Sequence, residues 1–298
     1  MSTGGREATL IATFDHRHFE VGRLVDAKRG RSVSVCLPAR DEESTVGEIV
    51  SMVRAHLVER VGLVDEVLVV DDGSTDRTAQ RAVEAGARVV TSDAVGRDGR
   101  GKGQALRRGV TEASGDLVVF LDADVRNFGT HFVVGLLGPL LLRPGTVFVK
   151  AFYRRPFHGR SGEGGRVTEL LARPLLARLF PRLGGVHQPL AGEAAARRDV
   201  LEALAFADGY GVELRMLIDI AEVFGVASLA QVNLGERVHR NRTLAELAPQ
   251  AAAVLDVALS RAGVALADGD RPPWVPPPAP AGPEARRGRA LAKGANGN

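Results

Sequence analysis

The sequence contains a single cysteine among 298 residues, which excludes an intramolecular disulfide bond. That residue, Cys36, lies within the apolar run Val33–Leu37. A thiol in such a run is typical of a small buried hydrophobic side chain, whereas nucleophilic cysteines occupy electropositive, partly exposed settings. We therefore expect Cys36 to be structural.

Long apolar runs are also missing. The most apolar stretches, Val133–Leu142 and Val212–Val226, are too short or too interrupted by charge to span a bilayer. No positive segment followed by an apolar stretch is recognised at the N-terminus, so we expect a cytoplasmic protein without a signal peptide. Basic tracts with interleaved aromatic residues are absent too, which argues against nucleic-acid binding.

Lysine is scarce, because Lys28, Lys102, Lys150 and Lys293 are the only ones and the other basic side chains are arginines. The net charge is +3, so overall charge does not select a partner. Arginines that converge on one cleft would still attract an anionic substrate. The composition, with 45 % hydrophobic and 25 % charged residues, is sufficient for a substantial core.

The chain divides by composition and periodicity into four parts. We predict an N-terminal arm over residues 1–30, an alternating strand–helix segment over 31–155, a second segment over 156–267, and a disordered Pro/Gly/Arg-rich tail over 268–298. The alternation predicts βαβ units and therefore an α/β fold, Rossmann-like, with a mostly parallel sheet flanked by helices. Ligands of such sheets bind at the carboxyl ends of the strands.

The expected elements follow from hydrophobic periodicity. A short strand is possible at Ala8–Phe14, and Ala227–Val232 is expected to be a strand whose direction could be antiparallel. The other predicted strands are Ser32–Leu37, Glu66–Val70, Ala87–Val90, Asp116–Leu121 and Thr146–Tyr153. The predicted helices are Glu43–Glu59, Asp76–Ala85, Gln104–Ala113, His131–Leu142, Thr168–Leu179, Arg197–Leu204, Glu213–Phe224 and one that begins near Leu244.

The pair Asp122-Ala123-Asp124 follows the apolar run Leu117–Leu121. Carboxylates at the end of a buried strand require a positive partner, since their desolvation is costly. Mg²⁺ is a suitable partner, because it binds one or two carboxylates together with substrate phosphate oxygens. A solvated turn, or an N-cap at Asp124, is the structural alternative.

Two further polar segments end predicted strands. Asp71-Asp72-Gly73-Ser74 is suited to a tight strand-to-helix turn, but that turn does not explain both carboxylates. They are able to accept hydrogen bonds from the imide or ribose of a nucleotide. Asp41 and Glu42, after Pro38-Ala39-Arg40, offer similar acceptors, although acidic residues in a first helical turn are also ordinary.

The glycine-rich stretch Gly96–Gly103 admits two interpretations. Gly96 to Lys102 fits the phosphate-binding loop G-x-x-x-x-G-K of NTPases. The next residue is Gly103, however, so the hydroxyl that would hold Mg²⁺ is missing. A cationic loop that closes over a sugar diphosphate, with Lys102 as the charge partner, fits better.

Two features of the second half complete the set. Gly165-Arg166-Val167-Thr168 brings an arginine, a hydroxyl and free N–H groups to a helix start, which favours an anion site. A plain helix cap at Thr168 is the alternative. His239 is flanked by arginines, which disfavour an imidazolium, so a neutral imidazole on a metal ion is one interpretation and a structural histidine is the other.

Taken together, these residues resemble the GT-A glycosyltransferases. The shared markers are Pro38-Ala39-Arg40-Asp41-Glu42-Glu43, the loop Asp71–Asp76, Gly101-Lys102-Gly103 and Asp122-Ala123-Asp124. The second half narrows the resemblance to the retaining glucosyl- and mannosyl-3-phosphoglycerate synthases. The segments that carry it are Gly165–Leu170, Gln188–Glu193, Gly209–Glu213, Gln231–Gly235 and His239–Arg242.

The resemblance covers roughly residues 30–265 and implies a set of roles. It implies a nucleotide-sugar subdomain over 31–155, an acceptor subdomain over 156–267, and catalytic roles for Asp124, Lys102 and Glu213. The implied donor contacts are Pro38, Ala39, Glu42, Asp72, Ser74, Lys102, Asp122, Ala123, Leu190 and Glu213; the implied acceptor contacts are Gly165, Arg166, Thr168 and Asn241; and the implied metal ligands are Asp124 and His239.

The implied reaction is transfer of glucose or mannose, from UDP-glucose, GDP-glucose or GDP-mannose, to the 2-hydroxyl of D-3-phosphoglycerate. The implied cofactor is Mg²⁺ or Mn²⁺, and a homodimer is expected. Three alternatives remain at this point: a GT-A enzyme with a lipid-phosphate acceptor, a P-loop-like NTPase, and a non-catalytic nucleotide-binding module.

Overall fold

A computed structural model of the protein describes residues 11–92, 101–155, 165–238 and 243–264. Within these residues one mixed sheet of eight strands has the order β1-β8-β6-β7-β5-β2-β3-β4. The strands are β1 (Ala12–Asp15), β2 (Val33–Ala39), β3 (Glu66–Asp71), β4 (Arg88–Thr91), β5 (Leu117–Phe120), β6 (Phe148–Arg154), β7 (Ala194–Arg197) and β8 (Leu229–Glu236).

The first half of the chain forms a parallel βαβ series, as predicted. β2 pairs in parallel with both β3 and β5, and β3 pairs in parallel with β4. The central strands β2, β3 and β5 are buried along almost their whole length, which is why each is a nearly continuous apolar run in the sequence.

The second half departs from the prediction in three ways. β7, which is antiparallel to β5 and β6, was not predicted because its sequence Ala-Ala-Ala-Arg lacks β-branched and aromatic residues. The helix predicted at Arg197–Leu204 is shorter, at Arg198–Glu202, since Arg197 belongs to β7. The antiparallel direction considered for the strand at Ala227–Val232 is wrong.

That strand is β8, and it runs parallel to β1 and to β6. β8 therefore runs opposite to β7, the strand that precedes it in the chain, because β7 is antiparallel to β6. β1, from the predicted N-terminal arm, joins the sheet beside β8. The part of the predicted strand before Ile11, and the predicted tail at 268–298, lie outside the described residues.

Helices cover both faces of the sheet. Two segments have π-helical geometry, Arg54–Glu59 at the end of the second helix and Thr168–Ala172 before the sixth. The α-helices of the described residues are α1 (Val21–Lys28), α2 (Val46–Val53), α3 (Thr78–Glu84), α4 (Lys102–Glu112), α5 (His131–Leu142), α6 (Arg173–Leu179), α7 (Arg198–Glu202), α8 (Val212–Phe224) and α9 (Leu244–Arg261).

Alternation along each strand divides the core into two layers. Val35 and Leu37 of β2 belong to the layer on one side, while Cys36 belongs to the layer on the other side. Cys36 is fully buried, as predicted, and burial raises the pKa of its thiol to about 12. α4 crosses so close that a Cβ at Gly109 would lie 2.4 Å from the Cys36 Sγ.

None of the helices in the described ranges has the length and apolar character that a membrane crossing requires.

Candidate active site

A cleft of about 540 Å³ opens at the carboxyl ends of β2, β3 and β5. Loops from both halves of the chain contribute to its walls. The predicted site residues that line the cleft are Pro38, Ala39, Glu42, Asp72, Lys102, Asp122, Ala123, Asp124, Gly165, Arg166, Thr168, Leu190 and Glu213.

Asp122 is anchored directly after β5. Lys102 Nζ donates to its Oδ1 at 2.7 Å, and Arg237 Nη2 donates to its Oδ2 at 2.8 Å. Burial alone would raise the pKa of this carboxyl, but the two cations outweigh burial and hold the pKa well below its usual range. Asp122 is therefore a fixed anion with both oxygens engaged by the protein.

Lys102 begins α4, and its preceding glycine, Gly101, has φ +152°. Its Nζ lies 2.7 Å from both Asp122 Oδ1 and Glu213 Oε1. Burial opposes the charge on Lys102, yet these two carboxylates raise its pKa above the ordinary value. Lys102 is thus a permanent cation at the wall of the cleft. The predicted loop residues 96–100 lie outside the described residues.

Asp124 is held differently from Asp122. Arg237 Nη2 donates to its Oδ1 at 2.6 Å, whereas its Oδ2 has no bond to any described residue. The intervening Ala123 is fixed by its carbonyl, which accepts a hydrogen bond of 2.6 Å from the buried Thr45 hydroxyl. One Asp124 oxygen therefore remains for a ligand in the cleft.

Arg237 is the most important side chain that the sequence did not reveal. It follows β8, is 4 % exposed, and contacts Asp122, Asp124 and Glu193. Burial lowers the pKa of an arginine, but Glu193 and Asp122 raise that of Arg237 well above its ordinary value. Its position shortly after the predicted strand Ala227–Val232 was the available signal, because strand ends carry other site residues.

Glu193 and Tyr153 lie buried behind Arg237. Tyr153 Oη donates to Glu193 Oε2 at 2.6 Å, and Arg237 Nε lies 2.9 Å from Glu193 Oε1. Burial raises the pKa of Glu193, with Arg237 acting against that rise, and burial also raises the pKa of Tyr153. Glu193 occurs in the segment Gln188–Glu193, but sequence alone did not mark it as a site residue.

Glu213 lies in the first turn of α8 and is almost fully buried. Behind it lies Lys150 of β6, which is 2 % exposed and whose Nζ has no hydrogen-bond partner among the described residues. Burial lowers the pKa of Lys150 to about 8, although Glu213 acts in the opposite direction. The scarcity of lysine was the only sequence signal for this residue.

The side of the cleft assigned to the nucleoside is built by the ends of β2 and β3. Asp72 is buried, and Ser92 Oγ donates to its Oδ1 at 2.6 Å. Ser74 is not among the residues that line the cleft. Its Oγ instead accepts a hydrogen bond of 3.0 Å from the Asp41 N–H, so Ser74 shapes the loop beside Glu42.

Gly165–Thr168 forms another part of the cleft wall. Gly165 has φ +81°, a conformation that favours glycine, and Thr168 is buried. The alternative of Thr168 as a helix cap is wrong, because the N-cap position is Val167 and Thr168 lies inside the first turn. Arg155 also lines this wall, and a Cβ at Gly165 would lie 3.3 Å from its Nη1.

Two predicted residues, His239 and Asn241, lie outside the described residues. Within the described ranges no group of three or more His, Cys, Asp or Glu side chains is arranged to hold a metal ion. The donor set present nevertheless fits a divalent cation, since Asp124 Oδ2 bonds to none of the side chains in the described ranges. Such an ion would need further ligands from substrate oxygens or from the 239–242 segment.

The site and the fold agree with a family match. A model of the family described as glycosyl transferase family 2 matches residues 34–204. The chain belongs to glycosyl transferase family 2. It is a glycosyltransferase. The two alternatives of an NTPase with a phosphate-binding loop and of a non-catalytic nucleotide-binding module are therefore wrong.

Relatives within this family cover most of the chain. The chain is 49 % identical to glucosyl-3-phosphoglycerate synthase of Mycolicibacterium paratuberculosis, over 82 % of this chain and 76 % of the relative. It is 42 % identical to the synthase of the same name from Petrotoga mobilis, over 86 % and 82 %. These relatives extend the match well beyond residues 34–204.

Solved structures of such a synthase share the fold. The chain superposes with a TM-score of 0.79 on glucosyl-3-phosphoglycerate synthase from Mycobacterium tuberculosis, with 48 % identity over 86 % of this chain and 89 % of that one. That structure contains Mn²⁺, UDP-glucose and phosphoglyceric acid. The GT-A fold predicted from the sequence is thereby confirmed.

Proposed function

We propose that this glycosyltransferase transfers glucose from UDP-glucose to the 2-hydroxyl of D-3-phosphoglycerate, with retention at the anomeric carbon and with Mn²⁺ or Mg²⁺. The observation that supports the proposal is that the Asp122–Asp124 pair and Gly165–Thr168 line the same cleft. Glucose is favoured over mannose, and UDP over GDP, because the relatives are glucosyl enzymes and their structures hold UDP or UDP-glucose.

Asp124 Oδ2 and His239 are proposed to hold the cation together with diphosphate oxygens. When bound, the cation neutralises the charge that develops on the leaving diphosphate. Asp122 is not proposed as a direct metal ligand, since both of its oxygens already bind protein cations. Its role is to orient Lys102 and Arg237.

Lys102 and Arg237 supply fixed positive charge at the donor end of the cleft. Their ammonium and guanidinium groups are preorganised by the carboxylates around them, so little reorganisation is needed as the sugar–phosphate bond breaks. Pro38, Ala39, Glu42 and Asp72 are proposed to contact the nucleoside, and Leu190 the sugar, with Ser74 supporting the loop at a distance.

Gly165, Arg166 and Thr168 are proposed to bind the carboxylate and phosphate of the acceptor, with Asn241 nearby. Arg155 adds a second guanidinium to the same wall of the cleft. Two arginines suit an acceptor with two anionic ends, because guanidinium groups match carboxylate and phosphate in geometry and charge. They thereby orient the 2-hydroxyl towards the anomeric carbon.

Retention is proposed to follow from attack on the face that the diphosphate leaves. A diphosphate oxygen then accepts the hydroxyl proton as the new C–O bond forms. Glu213 is suited to hold sugar hydroxyls, because its Oε1 is already paired with Lys102 at 2.7 Å and it is thereby restrained at the cleft wall. The proposed route needs no side-chain nucleophile; Glu213 is the residue to examine if a covalent intermediate is trapped.

A matrix of donors and acceptors tests the substrate assignment. UDP-glucose, GDP-glucose and GDP-mannose are each incubated with 3-phosphoglycerate, glycerol 3-phosphate or a polyprenyl phosphate, and products are identified by mass. Glucosyl-3-phosphoglycerate from UDP-glucose is the expected main product. Preferential glycosylation of the polyprenyl phosphate, or preferential use of GDP-mannose, would contradict the proposal.

A further inference from the structure

A chain of buried polar contacts runs behind the cleft from one wall to the other. Arg155 Nη2 donates to Tyr153 Oη at 2.9 Å, and Tyr153 Oη donates to Glu193 Oε2 at 2.6 Å. Glu193 Oε1 then lies 2.9 Å from Arg237 Nε. Each of the two arginines at the ends of this chain lines the cleft.

The middle of the chain is completely enclosed. Tyr153 is 3 % exposed and Glu193 is 0 % exposed. The guanidinium carbons of Arg155 and Arg237 lie 4.9 Å and 5.5 Å from the centre of the Tyr153 ring, within the range of cation–π attraction. Burying a hydroxyl and a carboxylate costs free energy unless both groups have polar partners. The two arginines provide these partners, and the hydroxyl and carboxylate in turn restrain the arginines.

We propose that Tyr153 and Glu193 are a positioning pair that holds Arg237, which faces the donor, and Arg155, which faces the acceptor, through two hydrogen bonds and one ion pair. The inference rests on the proposed function, because it takes Arg237 to serve the donor and its metal ion, and Arg155 to serve the anionic acceptor. Neither Tyr153 nor Glu193 lines the cleft, so both act through the arginines.

At the donor end, Glu193 determines which part of Arg237 faces the aspartates. Its carboxylate forms an ion pair with Nε at 2.9 Å, without the geometry of a hydrogen bond, while Nη2 donates to Asp122 Oδ2 at 2.8 Å and to Asp124 Oδ1 at 2.6 Å. Glu193 is itself fixed by its carbonyl, which accepts from the Ala151 N–H at 3.0 Å. The geometry of the metal-facing carboxylate therefore depends on a residue that does not touch it.

At the acceptor end, Tyr153 determines where Arg155 lies. Its hydroxyl accepts from Arg155 Nη2, while the other terminal nitrogen, Nη1, lies against Gly165. The strand end is held as well, because Gln188 Nε2 donates to the Tyr153 carbonyl at 2.6 Å. The position of a guanidinium at the acceptor wall is thereby linked to the same hydroxyl that orients Glu193.

The substitution Tyr153→Phe removes the shared hydroxyl and keeps the ring on which both arginines stack. Titration calorimetry on the full chain measures the affinity for Mn²⁺ in the presence of UDP and, separately, the affinity for 3-phosphoglycerate. Both affinities are expected to fall by about tenfold, the scale of one lost hydrogen bond to a charged group. Glu193→Gln gives a second readout of the same kind should Tyr153→Phe fail to fold.

Ser34→Ala is the matched control. Ser34 is also fully buried, and its hydroxyl also donates to a carboxylate, Glu66 Oε2, but it lies at the opposite end of the strands from the cleft. Ser34→Ala is expected to lower the melting temperature and to leave both affinities within about twofold of wild type. A purely structural role for Tyr153 predicts the same result for Tyr153→Phe.

Two results overturn the inference. Unchanged affinities in Tyr153→Phe show that the hydroxyl positions neither arginine, and a loss of one affinity alone shows that the pair serves a single wall. Wild-type protein that binds neither Mn²⁺–UDP nor 3-phosphoglycerate refutes the proposed function instead, and the inference fails with it. The wild-type titrations thus distinguish the two failures.

Discussion

At the scale of single residues, Asp122 and Asp124 differ in how many of their carboxylate oxygens are paired with protein cations. Asp122 gives both oxygens to Lys102 and Arg237, whereas Asp124 gives one oxygen to Arg237 and keeps Oδ2 for the cleft. A carboxylate that is fully paired is a poor ligand for an incoming cation, because binding would require a buried salt bridge to break. Substitutions of the two aspartates are therefore expected to have different effects on metal binding.

Asp124→Asn is expected to lower the transfer rate by about a hundredfold or more, since it removes the anionic ligand proposed for the cation. The measurement is initial rate against Mn²⁺ concentration, with Asp199→Asn at an exposed carboxylate as the control. Turnover of the wild type that persists in EDTA would remove the basis for a metal role.

Arg166→Ala is expected to raise the KM for 3-phosphoglycerate by about tenfold or more, the scale of a lost charge-assisted contact, and to change the KM for UDP-glucose little. Steady-state kinetics with each substrate varied in turn measures both constants. Arg182→Ala, at an exposed position, is the control. Equal increases in the two constants would refute the assignment of Arg166 to the acceptor.

Residue identities were predictable where a motif stands at the end of an apolar strand. Asp122 and Asp124 were found in this way, Lys102 was found from the glycine-rich stretch before it, and all three line the cleft. Arg237 and Glu193 were not, because their pairing joins β8 to the segment before β7, and that juxtaposition depends on strand order. A buried ion pair between distant segments has no local sequence pattern.

At the scale of elements, the turn before β7 controls Asp122. Gly192 approaches the end of β5 so closely that an added Cβ would lie 2.0 Å from Asp122 Oδ1. No side chain fits there unless the carboxylate moves away from Lys102 and Arg237. The turn and the strand end therefore form one unit.

Gly192→Ala is expected to lower kcat/KM by about a hundredfold, because the added methyl group displaces the Asp122 carboxylate that positions Lys102 and Arg237. Rates and melting temperature are measured together. Gly185→Ala is the matched control, since a Cβ there meets nothing within 4 Å. Wild-type kinetics in Gly192→Ala would show that Asp122 does not need its observed position.

Elements were predictable where periodicity is strong and were missed where it is not. The buried runs of β2, β3 and β5, and the amphipathic α8, matched their predicted places. β7 was missed because its alanines carry no strand preference, and its place is decided by pairing with β5 and β6. Tertiary pairing overrode local propensity at this strand.

At the scale of the whole molecule, the buried side chain of Lys150, beside the cleft residue Glu213, makes the free energy of unfolding depend on pH. Burial lowers the pKa of Lys150 from the ordinary 10.5 to about 8. Between these pH values the unfolded chain binds more protons at this side chain than the folded chain does, so the free energy of unfolding rises with pH. The cost of burying the charge is complete below about pH 8 and disappears towards pH 10.5.

Lys150→Met removes this contribution. The stability of the variant relative to wild type is therefore expected to fall by ~2 kcal/mol between about pH 7 and about pH 10. Urea unfolding at both pH values measures the difference, and contributions from Cys36 and Tyr153, which are present in both proteins, cancel. A difference that does not change with pH would show that Lys150 keeps its ordinary pKa.

The sheet as a whole brings together residues that are far apart in the chain. The cleft collects side chains from Pro38 to Val254 around the ends of a few strands. The α/β alternation predicted that the first-half motifs would meet, whereas the second half required the resemblance to known synthases. How the cleft divides into donor and acceptor walls remains a proposal for this chain.

The most direct test of the account is the structure of the product made by the purified protein. UDP-glucose, 3-phosphoglycerate and Mn²⁺ are incubated with it, and the product is examined by proton and phosphorus NMR. The account predicts glucose joined through an α linkage to the 2-hydroxyl of 3-phosphoglycerate, formed by wild type and not by Asp124→Asn. A β linkage, glucose released to water alone, or the same product from Asp124→Asn would contradict it.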